Sequence, residues 1–134
     1  MRRRRIVEND WCCKFYMAYD ESDLGILLNA LERCGAPEDL LEKVTSNVLE
    51  GNLNEGFTFS DYENRCSVIG VGIADSGEQF LNSFVHELRH LVDDMAYADG
   101  LSHGGEETAY LTGNITLGVA DIVCRYSCEN CRQH

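Results

Sequence analysis

Proline occurs once in this chain, at Pro37, and no stretch is rich in glycine and serine, repeated or of low complexity. That leaves no recognisable linker, so the 134 residues are expected to form one domain. No apolar run is long enough to span a bilayer, which excludes a transmembrane helix. The opening MRRRRIVENDW has the charge of an export signal but no apolar segment behind it, so a cytoplasmic location is expected. Basic residues are few: 11 Lys and Arg against 23 Asp and Glu, a net charge of −12, with four of the 11 crowded into Arg2–Arg5. A surface of that sign repels phosphate, so nucleic acid is not an expected partner. Residues 1–10 are expected to be a disordered basic tail. Histidine is scarce as well, with only His86, His90, His103 and His134.

Cysteine is not scarce. There are seven, an odd number, and no secretion signal accompanies them, which suggests free thiols in a reducing compartment. Cys12, Cys13, Cys34 and Cys66 sit among apolar neighbours and read as core residues. Residues 125–134 form a Cys-rich tail following Cys124. Cys124, Cys128, Cys131 and His134 have the donor types and gaps of a second zinc site, but a frayed terminus is the plainer expectation.

The pattern between the tails is mixed α and β. WCCKFYMAY (11–19) reads as a strand. Asp20 or Ser22 can cap a helix to Cys34 with Leu24, Leu27, Leu28 and Leu31 as its buried stripe. Gly35 ends it, and Pro37 starts a second helix through Leu49. After a turn at Gly51–Gly56, GFTFSD and RCSVIGVGIA read as a β-hairpin about Tyr62–Asn64. Asp75 and Ser76 open a third helix, GLSHGG is a loop, and a last helix runs from about Glu106 to Cys124. The expected fold is thus α+β over residues 11–124, with about three antiparallel strands and about four helices.

The third helix carries His86-Glu87-Leu88-Arg89-His90. Residues four apart lie on one helical face about one turn from each other, so both imidazoles can reach one zinc ion. Glu87 stands beside them, where a carboxylate can take a proton from a metal-activated water. Phe80, Leu81, Phe84, Val85, Leu88, Leu91, Val92 and Met95 share the other side, so the histidines displace no core residue. A solvated polar helix face is the bland alternative.

A catalytic zinc takes three protein ligands and one open position. Asp93, His103, Glu106 and Glu107 are the candidates for the third. Helical phase groups Glu106 with Ala109, Tyr110, Gly113, Leu117 and Ala120, expected to be the packed side of the last helix, and Glu107 with Asn114, Asp121 and Arg125, expected to be the wet side. Glu106 is therefore the expected ligand, since a poorly solvated carboxylate needs a partner. Asp93 is better placed to hydrogen-bond a ligand imidazole or to pair with Arg89.

Together these residues resemble the gluzincin metallopeptidases, zinc enzymes with His-Glu-x-x-His on one helix and a glutamate ligand on the next, and in particular the very small single-domain gluzincin-like proteins. The likeness covers roughly residues 55–124. It implies a zincin-like fold, His86, His90 and Glu106 as zinc ligands, Glu87 as general base, and hydrolysis of a peptide bond in a peptide or protein substrate. His103 and Tyr110 are candidates to stabilise the oxyanion. A substrate peptide would lie along an edge strand, expected within Cys66–Ala74. The alternative is a non-catalytic zinc-binding interaction module with the same metal site.

Overall fold

The computed structural model describes residues 1–128. Four strands and four α-helices follow in the order β1 (Arg2–Glu8), β2 (Trp11–Tyr19), α1 (Leu24–Arg33), α2 (Glu38–Leu49), β3 (Phe57–Asp61), β4 (Cys66–Gly72), α3 (Gly77–Asp99) and α4 (Glu106–Ser127), with one 3₁₀ turn at Glu21–Asp23. The sheet order is β1-β2-β4-β3. β1 and β3 run antiparallel to their neighbours, while the central pair β2 and β4 is parallel.

The α+β class is as expected, but the sheet is mixed and has one strand more than expected. The extra strand is the supposed disordered tail. Asn9 and Asp10 take φ of 50° and 60°, both left-handed, between the paired residues Glu8 and Trp11. That two-residue turn has the twist a hairpin favours, and Asn and Asp tolerate it best after glycine. Alternation does the rest. Ile6 turns inward onto the core, and Arg4 spans to α4, donating to the Gly118 carbonyl at 2.8 Å and to Asp121 at 2.9 Å. Arg3 and Arg5 stay exposed and keep this outer edge charged, which discourages another chain from pairing with it.

Apolar residues cover both faces of the sheet. On one, Cys13, Phe15 and Met17 of β2 and Ile69 and Val71 of β4 pack against α3 and α4. On the other, Val68 and Phe57 pack against Leu27 and Leu31 of α1 and Leu41, Val44 and Val48 of α2. Several of the expected helix signals are used, although α1 itself follows Asp23 with no side-chain cap. Asp20 caps the 3₁₀ turn, Pro37 precedes α2, and the Ser76 hydroxyl accepts from the Gln79 amide at the start of α3. Gly100, at φ 67°, ends α3 in the left-handed conformation that glycine takes at least cost.

Two expectations are corrected here. Cys66–Ala74 does not supply an edge: β4 lies between β2 and β3, and the edges are β1 and β3. The packed side of α4 is also not the one expected, although Glu107, Asn114, Asp121 and Arg125 are exposed as expected. Its buried residues are Thr108, Leu111, Ile115, Val119, Ile122 and Val123, while Ala109, Tyr110, Gly113 and Leu117 are exposed. The aliphatic stripe has more apolar area to remove from water than the small-residue stripe, and it takes the core.

Candidate metal and catalytic site

α3 follows the expected periodicity in part. Phe80, Phe84, Leu88, Leu91, Val92 and Met95 are buried and His86 and His90 are exposed, but Leu81 and Val85, expected on the core side, are exposed, and Glu87, expected on the polar side, is buried. The two imidazoles meet, with Nε2 of one 3.2 Å from Nε2 of the other and the rings 76° apart. Two Zn–N bonds of about 2.0–2.1 Å at a tetrahedral angle would hold the nitrogens about 3.3 Å apart. The spacing therefore fits a shared zinc ion. It equally fits one imidazole donating to the other.

Glu87 is 5% exposed. It reaches toward β3, where the Thr58 hydroxyl donates to its Oε1 at 2.9 Å. Burial raises its pKa, while the Thr58 hydrogen bond and the two nearby histidines oppose the rise. Gly56 makes the approach possible: a Cβ there would lie 2.6 Å from the Gly70 carbonyl oxygen and 2.9 Å from Glu87 Cγ. His86, Glu87 and His90 form one wall of a cleft of about 560 Å³. Phe57 and Thr58 of edge strand β3, Gly56 just before the strand, and Lys43, Val44 and Asn47 of α2 line the rest, with Asn54, Gln79 and Asn82.

Two carboxylates follow the motif along α3 and are held differently. Asp93 accepts from Arg89 Nε at 2.9 Å and lies 3.0 Å from His103 Nδ1. Those partners, His103 foremost, lower its pKa. The loop after α3 is thereby folded back along the histidine side of the helix. Asp94 lines the cleft and accepts from Ser60 at 2.6 Å and Tyr62 at 2.9 Å. Behind Ser60 a chain of donors runs inward: Trp11 Nε1 to Ser67 Oγ at 2.9 Å, and Ser67 to Ser60 at 2.7 Å. With Ser60 donating to Asp94, the shared Ser67–Ser60 proton comes from Ser67.

The expected third ligand is not brought to the pair. Glu106 is exposed at the first turn of α4, as is Glu107, and Tyr110 is exposed beside them. Among the described residues, no three His, Cys, Asp or Glu side chains converge as a metal set. Cys124 and Cys128 are exposed near the end of α4, and Cys131 and His134 lie outside the described residues. Thr58, Gly56 and Ser60 were not singled out from the sequence. The alternation in FTFSD, which sends Thr58 and Ser60 to the face opposite Phe57 and Phe59, is the signal that points to the first and third.

No family model matches the chain, and neither does any curated protein or solved structure. No helix among the described residues is long and apolar enough to cross a membrane.

Proposed function

We propose that this protein is a zinc-dependent metallopeptidase of gluzincin type, in which His86 and His90 hold the ion and Glu87 is the general base. The observation that supports this most is the 3.2 Å approach of the two Nε2 atoms beside a cleft that also contains Glu87. A zinc ion held by His86 and His90 would supply Lewis acidity toward a carbonyl and would acidify a water molecule so that it could yield a proton near neutral pH. Glu87 takes that proton as the water attacks and later delivers it to the leaving amine. Its raised pKa suits a group that must both accept and return a proton. Thr58 holds the carboxylate in place between turnovers. The substrate peptide lies extended along β3, whose outer edge has no strand beside it among the described residues. The acidic surface favours basic or neutral peptides over acidic ones. The resemblance assigns the third ligand to Glu106, which must swing toward the pair when metal binds.

Metal analysis of the purified chain is the first test. About one zinc per chain is expected, and His86→Ala with His90→Ala should abolish it. Zinc retained unchanged by that double variant would overturn the site. A chelator competition then separates the two glutamates: Glu106→Ala should weaken zinc by orders of magnitude, and Glu107→Ala should change it little. If neither variant matters, the third ligand is not on α4.

One observation favours a second reading, a non-catalytic zinc module. Glu87 is nearly closed off from solvent and already has a partner in Thr58, which is how a structural carboxylate looks. Glu87→Gln distinguishes the two. The amide keeps the shape but cannot take a proton, so metal should stay and cleavage of a peptide library should vanish. Equal cleavage by both forms would remove Glu87 as the base.

A further inference from the structure

Three thiols that the proposed hydrolysis does not use meet at one margin of the sheet, on the face that α1 and α2 cover. Cys12 in β2 and Cys66 at the start of β4 are register partners on adjacent parallel strands. Neighbouring strands lie about 4.7–4.9 Å apart, inside the Cα separation of about 4.4–6.8 Å that a disulfide spans. Cys34, at the end of α1, points its Sγ at the Cys66 carbonyl oxygen, 3.7 Å away. Cys66 thus stands between the other two, paired in register with Cys12 and with its own carbonyl facing the Cys34 thiol. All three are unbonded thiols, two of them half-buried and Cys34 buried. Burial raises the Cys34 and Cys66 thiols, and Lys14, two residues along β2 from Cys12, partly opposes that rise.

We propose that Cys12, Cys66 and Cys34 form a redox-active thiol relay, with Cys66 as the hub, that is oxidised by a low-molecular-weight disulfide. The Cys12 thiolate attacks one sulfur of the small disulfide and expels the other half as a thiolate, leaving a mixed disulfide on Cys12. Cys66 then attacks the Cys12 sulfur and expels the second half. Two protein thiols lose two electrons and two protons, and the small disulfide gains them as two thiols. Exchange onto Cys34 follows when its thiolate attacks Cys66 and releases Cys12, with no net change in oxidation. The entry point follows from burial. Cys34 is buried, and burial pushes its thiol up to about 12 and raises Cys66 as well, so neither opens the exchange readily, which leaves the half-buried Cys12.

The experiment incubates the full chain with oxidised glutathione, alkylates the remaining thiols and maps linked peptides by mass spectrometry. A Cys12–Cys66 link is expected as the main product, with a minor Cys34–Cys66 link. Cys34→Ser should keep the first link and lose the second. Cys12→Ser, at a half-buried position that leaves the core filled, should slow oxidation of Cys66 more than tenfold while circular dichroism shows the fold intact. Glutathione left on Cys12 with Cys66 still a thiol in the wild-type chain would overturn the relay. So would three thiols that react only after unfolding, which is the behaviour of inert core residues. Zinc loading enters neither outcome, so this result stands apart from the peptidase reading.

Discussion

The Glu87 carboxylate shows how much one hydroxyl can decide. It is 5% exposed, and Thr58 is the donor that compensates for lost water. Thr58→Val removes that donor and keeps the shape, leaving a buried acceptor unsatisfied at a cost of about 1–3 kcal/mol. Urea unfolding should show the loss in full for Thr58→Val and largely spare Thr58→Ser. A stability within about 0.5 kcal/mol of wild type for Thr58→Val would mean that water already serves Glu87. At the surface the scale is smaller. Arg65 donates to Asp99 at 2.8 Å and holds that carboxylate below its usual range. A folded-state pKa below the unfolded one gives stability that is present above the ordinary carboxylate range and lost as pH falls through the folded value. Both side chains keep roughly a quarter to a third of their surface in water, so the pair is worth at most about 1 kcal/mol. Asp99→Asn should lower the melting temperature slightly at pH 7, and the two melting curves should converge in strong acid.

At the scale of elements, α4 has the clearest test. Ile115 is fully buried and Leu117 is 78% exposed, two residues apart on one helix. Ile115→Ala should cost about 2–5 kcal/mol. Leu117→Ala should stay within about 0.5 kcal/mol. Comparable losses would reinstate the phase in which Ala109, Gly113 and Leu117 pack inward. The helix has two credible inner faces, one small and one aliphatic, and only the neighbour it packs on decides between them. Elements with a single credible face were legible. The Leu27–Leu31 stripe, Pro37 before α2, and Ser76 and Gly100 at the ends of α3 all needed only local chemistry. β1 is obscured because Arg2–Arg5 has the form of a charge run, while its Asn9–Asp10 turn and inward Ile6 are quiet signals. The site divides the same way. His86 and His90 come from one helix, and helical spacing alone brings them together. The partners Thr58 and Ser60 come from β3, and sequence does not say which helix a strand will face.

For the whole molecule, the metal reading predicts a change in stability that any probe of unfolding can follow. A ligand that binds only the folded chain stabilises it by about 2.7 kcal/mol at 100 times its dissociation constant. Zinc should therefore raise the melting temperature of the wild-type chain, and a chelator should reverse the rise. The His86→Ala, His90→Ala double variant should melt at one temperature with or without zinc. A shift that survives in this variant would place the ion elsewhere on the molecule.

The parallel pairing at the centre of the sheet sets a sequence of events in time. The β1–β2 hairpin closes through two residues, and α3 and α4 are joined by a short loop, so both units can form from neighbours along the chain. β2 and β4 cannot: Trp11 and Ser67, joined by a hydrogen bond across them, are 56 positions apart. The entropy of closing so long a segment is lost before any of the central pairing is gained, and contacts of this kind slow folding. Until that closure, Phe15, Met17, Ile69 and Val71 remain in water on separate pieces of chain, and the hydroxyl chain behind Asp94 has no beginning. The two histidines, by contrast, need only α3. The chain would hold the donors of its candidate metal site while the cleft beside them was still unmade.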